Sequence, residues 1–425
     1  MKFIFADAID QIDPGFNFLT DENSVGRKPY WNDQYPHEFF KKAPYDGVLI
    51  SRGIVGDSSR KGKYSDAHAI RFRREGARSF LRMNNALYKD MPIYGDCGAF
   101  SYVMEKVPPY TPDNMAGFYA DGGFNFGCSV DHIIFGFRPE DKGLDGAAPE
   151  ERERFDITQQ NARDFLKVTK GIPGFTPMGA VQGWSPESMG IAAQNLEKMG
   201  YKYLAIGGMV PLDAKQVHLA LKAIRNKLKP STKLHLLGFA KAEQISEFTD
   251  YGIASFDSTS PLLRAFKDAT ANYYVNRADG LLDYYTAIRV PQALENRKLT
   301  NAVREGNLDQ EELAQREFAA LKVLRAFDIG KASGADAAKH VLSYLRLFLS
   351  VDYKTPLALD KALAKSEKSL MRTLAAKPWQ SCGCEVCRQA GIEVAIFRTS
   401  NRNKRRGFHN LHVYFNHLKR ITNGS

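Results

Sequence analysis

Three cysteines fall within six residues, Cys382-Gly383-Cys384-Glu385-Val386-Cys387, in a chain that has five in all. That spacing is too tight for a set of structural disulfides, and in a reducing compartment it reads as metal ligation. Three thiolates need a fourth ligand to close a tetrahedral zinc site, and His409, His412 and His417 follow. A site closed by three Cys and one His leaves no position for water and is structural. A second group of residues recurs where short apolar runs end: Asp96 before Cys97-Gly98, Asp131 before His132, Gln182 before Gly183, the pair Gly207-Gly208, and Asp257 before Ser258. Each alone reads as a helix-capping aspartate or a turn glycine. Five at equivalent positions point to one site. Two carboxylates near one substrate are what a retaining double displacement at a sugar carbon requires, one attacking to form a covalent glycosyl intermediate and the other handling protons. Glycines beside them let a planar ligand approach backbone amides, and Gln182 offers both donor and acceptor to a heterocycle edge.

The elements that must position these residues repeat one rhythm from about residue 45 to 261: a short apolar or β-branched run, then a longer amphipathic stretch. The strand-like runs are 47–51, 92–96, 130–135, 177–182, 203–207, 234–238 and 254–257. Between them lie helix signals, such as Ser185 as N-cap with Pro186 at the first helical position and Gly200 as a stop. Val217, Leu221, Ile224 and Leu228 form one apolar stripe at helical spacing. Strands alternating with helices imply parallel pairing, and seven or eight units favour a (β/α)8 TIM barrel, an α/β fold whose loops after the strands face the active site. After Ala265 the strand rhythm stops and Ala, Leu, Lys and Glu dominate, with helical patterns at 311–318 and 341–349. The expected organisation is a catalytic barrel over 1–265, a helical insertion over 266–380 and a zinc-binding C-terminal subdomain over 381–425.

The composition, 44% hydrophobic and 25% charged over 425 residues, is that of a folded globular chain and excludes a disordered or collagen-like one. The net charge of +11 is concentrated. Residues 60–82 hold eight basic and two acidic side chains, and residues 382–425 again eight and two, so these two segments carry +12 and the rest about −1. Two basic segments on a balanced chain suggest a polyanionic partner. In the first, Tyr64, Phe72 and Phe80 are interleaved with the cations, as an element that holds a phosphate backbone and inserts an apolar side chain would need. The alternative is a solvated amphipathic helix. In the second, a bound metal would pin Arg398, Arg402, Lys404, Arg405 and Arg406 for the polynucleotide. The N-terminus reaches Asp7 after only four apolar residues, too few for a signal peptide, and no apolar run approaches a membrane span, so a cytoplasmic protein without membrane contact is expected.

The runs Gly95-Asp96-Cys97-Gly98-Ala99-Phe100, Val181-Gln182-Gly183, Ala205-Ile206-Gly207-Gly208-Met209-Val210-Pro211-Leu212 and Phe256-Asp257-Ser258-Thr259-Ser260-Pro261, with the cysteine cluster and the later His409-Asn410, resemble the signatures of the queuine and archaeosine tRNA-guanine transglycosylases. The resemblance covers about 90–265 and 382–412, roughly half of the chain. It implies a barrel enzyme that exchanges guanine in a polynucleotide for a 7-deazaguanine base through a covalent intermediate at the ribose C1′. Asp257 matches the family nucleophile and Asp96 the general acid/base. Asp131, Gln182, Gly183, Gly207, Gly208 and Met209 match base contacts, Phe100 the aromatic that stacks on the base, and Leu237 the apolar pocket wall. His409 matches the ligand histidine that joins Cys382, Cys384 and Cys387 on Zn2+, with His412 as competitor.

Departures narrow the resemblance. Cys97 stands where the family usually has Ser, Ala99 replaces a glycine and Ser101 a glutamine. The run after Gly208 lacks the glutamate with which the bacterial branch recognises an aminomethyl group, which implies 7-cyano-7-deazaguanine as the incoming base. The runs 5–14 and 45–51, and the insertion after Asp257, are similar to the DNA-acting branch, the 7-deazaguanine DNA-modification transglycosylases. The implied partners are DNA, a free 7-deazaguanine base and a protein that opens the duplex, because a stacked, paired guanine must be extruded before chemistry. The alternatives are action on tRNA, a non-catalytic binding subunit, against which both aspartates speak, and a hydrolytic DNA glycosylase.

Overall fold

The computed structural model describes residues 1–57, 60–239 and 242–423. Two compact units divide these residues: Met1–Ile9 with Tyr45–Thr259, and Asp10–Pro44 with Ser260–Asn423.

The first unit is a closed barrel of eight parallel strands in chain order, β1 (Lys2–Ala6), β2 (Gly47–Ser51), β3 (Ile93–Asp96), β4 (Phe126–Cys128), β5 (Thr176–Val181), β6 (Tyr203–Ile206), β7 (Lys233–Leu236) and β8 (Ile253–Ser258). Closure is made by β1 against β8, with Phe3 opposite Phe256 and Ile4 opposite Asp257. The α/β barrel expected from the rhythm is therefore present, with two changes. Strand β1 comes from the N-terminal run, which is too short to signal a strand on its own but pairs on both edges here. The run 130–135 is not a strand: β4 lies just before it, and Val130, Ile133 and Ile134 are buried in a loop at the rim. Buried apolar residues without a ladder look the same in sequence as buried apolar residues within one.

Side chains alternate across a strand, so register decides which residues face inward. Ile4, Leu49, Tyr94, Cys128, Met178, Tyr203 and Ala205 pack together as a core layer in the barrel. Two residues beyond Leu49 and Tyr94, towards the C-terminal rim, stand Ser51 and Asp96, which are register partners. His235 pairs with Ala205 and with Ser255, and Asp257 lies two residues beyond Ser255 on the same face. The helices outside behave as their patterns require. Val217, Leu221, Ile224 and Leu228 are all buried. The helix Pro186–Met199 starts with the Ser185 hydroxyl accepting from Ser188 N and stops at Gly200, at φ 117°.

The second unit is mainly helical, with helices Arg297–Arg304, Gln310–Asp328, Gly334–Ser350, Pro356–Ala376 and Ser400–Asn423. The stretch 266–380, expected to be helical, also carries an antiparallel hairpin, β9 (Tyr273–Asn276) with β10 (Leu282–Tyr285), and β11 (Ile288–Arg289), which pairs with β12 (Ile396–Phe397). The aromatic runs Tyr273-Tyr274-Val275 and Tyr284-Tyr285 around a turn at Gly280 (φ 86°) carry that hairpin. An average taken over the Ala- and Lys-rich stretch hides them. Among the described residues no helix is long and apolar enough to cross a membrane.

Candidate active site and metal centre

The rim of the barrel brings Asp96, Asp131, Gln182 and Asp257 together. Asp96 ends β3, where the chain turns through Gly98 in a left-handed conformation (φ 76°), and Gly98 N donates to Asp96 Oδ1 at 2.7 Å. Only glycine fits there, because a Cβ at Gly98 would lie 2.4 Å from Gly53 N. Burial pushes the Asp96 carboxyl up to about 7, against a hydrogen bond from Ser51, with the charges of Asp257 and Asp131 adding to the rise. A carboxyl balanced near neutrality can give and take a proton in one turnover.

Asp257 is buried near the end of β8; among the described residues Gly238 N donates to its Oδ1 at 3.0 Å and His235 Nε2 lies 3.2 Å from the same oxygen. Asp131 lies beyond the end of β4, not in a strand. Its Oδ1 is 3.0 Å from Cys97 Sγ and its Oδ2 is 2.6 Å from Gln182 Nε2. Burial raises its carboxyl above the usual range. Tyr102 Oη donates to the Asp131 carbonyl at 2.9 Å and lies 3.0 Å from Cys97 Sγ, which fixes the loop that carries it. Gln182 is oriented from both ends, since Ile134 N donates to its Oε1 at 3.3 Å. Its carboxamide lies across Gly207, where any Cβ would come within 2.2 Å of Nε2. Gly208 follows in a left-handed conformation. Phe100 is 61% exposed, its ring 6.3 Å from that of the exposed Phe135. Met209 is buried and Leu237 half-buried. Gly183 is packed tightly against the start of the following helix, where a Cβ would meet Met189 N at 2.8 Å, so its glycine is explained by packing alone.

Two residues that carry the site were not singled out by sequence reasoning. His235 and Ser255 are fully buried polar residues inside the barrel, His235 between Leu234 and Leu236 and Ser255 next to Phe256. A polar residue at an inward position of an apolar strand was the available signal.

In the second unit Cys382, Cys384, Cys387 and His409 place their ligand atoms within 4.8 Å of one another. The three sulfurs lie 3.6, 3.5 and 3.3 Å from His409 Nδ1. A tetrahedral zinc with the usual bond lengths sets a sulfur and a nitrogen about 3.5 Å apart, so the donor set fits a metal without rearrangement. His409 Nε2 meets the Tyr274 carbonyl at 2.8 Å, which orients the ring and leaves Nδ1 for the ion. His412 is excluded from the set: its ring stacks on Phe40 and its Nε2 meets Asn416 at 2.9 Å. His417 bonds the Gly280 carbonyl at 3.1 Å.

Both basic segments require correction. Arg398, Arg402, Arg405 and Arg406 are held inside the fold and do not face a polynucleotide, and Lys404 is half-buried. Arg402 and Arg406 are completely buried and Arg405 nearly so. Arg402 pairs with Asp21 and Glu393, Arg398 with Asp21 and Glu317, Arg405 bonds the Asp13 carbonyl, and Arg406 bonds the carbonyls of Ala265, Val394 and Ile396. A guanidinium has donors enough to satisfy several carbonyls at once, which suits it to such a structural role. In the first segment Tyr64, Phe72 and Phe80 are buried and pack ring against ring with centroids 5.2–6.2 Å apart, so none is free to insert into DNA. Phe72 and Phe80 lie on the core face of the helix Asp66–Phe80, Tyr64 packs on them from just before it, and Lys61, Lys63 and Arg74 remain exposed.

A closed barrel whose rim gathers two aspartates, a third held by a carboxamide, and the glycine pair Gly207-Gly208 is an arrangement suited to base exchange by a transglycosylase. Comparison with known proteins narrows the class. Over 421 residues, 99% of this chain and 97% of the relative, the sequence is 39% identical to a DNA-guanine transglycosylase of Salmonella montevideo. The chain belongs to the DNA-guanine transglycosylase family. No family model matches it.

Proposed function

We infer that this protein exchanges guanine in DNA for a 7-deazaguanine base, 7-cyano-7-deazaguanine in the first instance, by double displacement. Asp257 attacks C1′ of the deoxyribose as the bond to guanine N9 breaks, and Asp96 gives a proton to the departing base. The incoming base then loses its N9 proton to Asp96, attacks C1′ and releases Asp257, so bonds and protons balance and no nucleotide triphosphate is consumed. The observation that carries this reading is the contrast between the two carboxyls: Asp257 is anchored through one oxygen by two donors, while Asp96 is held at about 7. Phe100 stacks on the base, Asp131 and Gln182 take its edge, Gly207 and Gly208 admit the ring beside them, and Met209 and Leu237 close the pocket. The apolar Val210-Pro211-Leu212 run has no carboxylate to meet an aminomethyl ammonium, which favours the cyano base. Zn2+ on Cys382, Cys384, Cys387 and His409 holds the second unit's fold and takes no part in the exchange. Duplex DNA is opened by a partner protein or by extrusion of the target base, and the site of action is the cytoplasm.

The test incubates the protein with labelled guanine and, separately, plasmid DNA or tRNA. Label entering DNA supports the reading; label entering tRNA alone overturns the substrate. Release of guanine without replacement indicates a glycosylase. Asp257→Asn is expected to abolish exchange, and persistent exchange in that variant overturns the mechanism.

A further inference from the structure

We propose that His235 is a positioning residue for the exchange: by holding Asp257 through Oδ1 it assigns Oδ2 as the oxygen that bonds C1′, and it helps that oxygen leave again. The proposal rests on the reading of Asp257 as nucleophile. His235 is fully buried, its ring stacked on Tyr94 with centroids 5.4 Å apart. Its Nε2 lies 3.2 Å from Asp257 Oδ1, and its Nδ1 lies 2.5 Å from Ser255 Oγ, which is itself 2.5 Å from Tyr203 Oη.

The polarity of this chain follows from what each group can do. A carboxylate only accepts, so Nε2 carries a hydrogen. Ser255 donates to Nδ1 and accepts from Tyr203, so every hydrogen points towards Asp257 and the tautomer of His235 is set by the residues behind it. Gly238 N donates to the same Oδ1 at 3.0 Å. Among the described residues no donor meets Oδ2, which keeps the freer lone pairs for attack.

The consequence falls on the second displacement. Once Oδ2 is esterified to C1′, Oδ1 is the ester carbonyl, and both donors remain on it. When the incoming base attacks, the C1′–Oδ2 bond breaks and its electron pair returns to the carboxylate, whose growing charge is shared with Oδ1 between His235 and Gly238. Removal of one donor to a charged group slows that release by about ten- to a hundredfold.

The experiment follows turnover and the covalent protein–DNA adduct, separated on a denaturing gel, using guanine exchange into plasmid DNA. His235→Phe is expected to lower kcat at least tenfold with kcat/KM for DNA little changed, since the slowed step follows adduct formation, and to raise the fraction of protein held as adduct. His235→Gln, which restores an N–H donor, is expected to recover part of kcat; a ring that served packing alone would be rescued by Phe and not by Gln. Unchanged kcat and adduct in His235→Phe overturns the proposal. Should that variant fail to fold, Ser255→Ala leaves the ring in place and frees the tautomer; kcat lowered at constant kcat/KM for DNA supports the proposal and unchanged kcat overturns it. Asp257→Asn in parallel separates the two claims: adduct in that variant defeats the nucleophile itself, whereas no adduct there with normal His235→Phe kinetics defeats only the positioning role.

Discussion

For Asp96, the proton carrier of the proposed exchange, catalysis and stability would pull in opposite directions. Burial and the neighbouring charges hold its carboxyl at about 7, whereas in the unfolded chain it returns to the ordinary 3.8. Between those two values the folded protein binds a proton that the unfolded chain has released, so stability contributed by the neutral carboxyl is present in full below about 3.8 and lost as pH rises through about 7. Asp96→Asn, which cannot ionise, escapes that loss. The variant is expected to lack exchange activity and to melt higher than the parent at pH 8, with the difference shrinking towards pH 5; a melting series across that range checks it, and a constant difference would show that Asp96 does not titrate in the window. In the parent, exchange should depend on a group titrating near 7, a limb absent from any residual activity of Asp96→Asn.

At the scale of elements, what could be read in the sequence was what repeats. Strands that end in Asp96, Gln182, Gly207 and Asp257 are marked by an apolar run and a polar stop, and all four stops face one rim. The exceptions have physical causes. Asp131 reaches the same site from a loop, because its contacts to Cys97 and Gln182 hold it there in place of a ladder. His235 was passed over because a buried histidine in an apolar strand is ambiguous until register shows what its nitrogens meet. The hairpin β9–β10 was lost in the composition around it. The ledge formed by β5 and β6 yields a further prediction. Gly207→Ala places a methyl 2.2 Å from Gln182 Nε2, and this carboxamide is held by Asp131 and Ile134, so it cannot move without losing both. The variant is expected to raise KM for the free base by tenfold or more with a melting temperature within a few degrees of the parent; base-exchange kinetics and a thermal melt decide it, and unchanged KM would exclude Gln182 from base recognition.

Across the whole molecule, the charge of +11 divides into a part that faces solvent and a part that holds the chain together. The tail arginines belong to the second part: Arg402, completely buried between Asp21 and Glu393, ties the helix Ser400–Asn423 to the segment 10–44 of its own unit. Breaking such a pair from one side strands buried carboxylates and costs about 3–5 kcal/mol, so Arg402→Ala is expected to lower the melting temperature steeply. A metal held by the cysteine cluster would act on the same helix through His409, and Cys384→Ser, or a chelator strong enough to strip such an ion, should then destabilise the second unit in the same way. Neither change touches a phosphate. The exposed cations Lys61, Lys63 and Arg74 are different, since each phosphate that a cation no longer neutralises lowers the slope of log affinity against log salt by about 0.9 on duplex DNA. The triple alanine variant is therefore expected to bind DNA more weakly at low salt and with a shallower salt dependence, while its melt is unchanged. Binding isotherms at three salt concentrations distinguish the two classes: a slope that falls in a folded Arg402 variant and stays constant in the triple variant would return the polynucleotide to the tail.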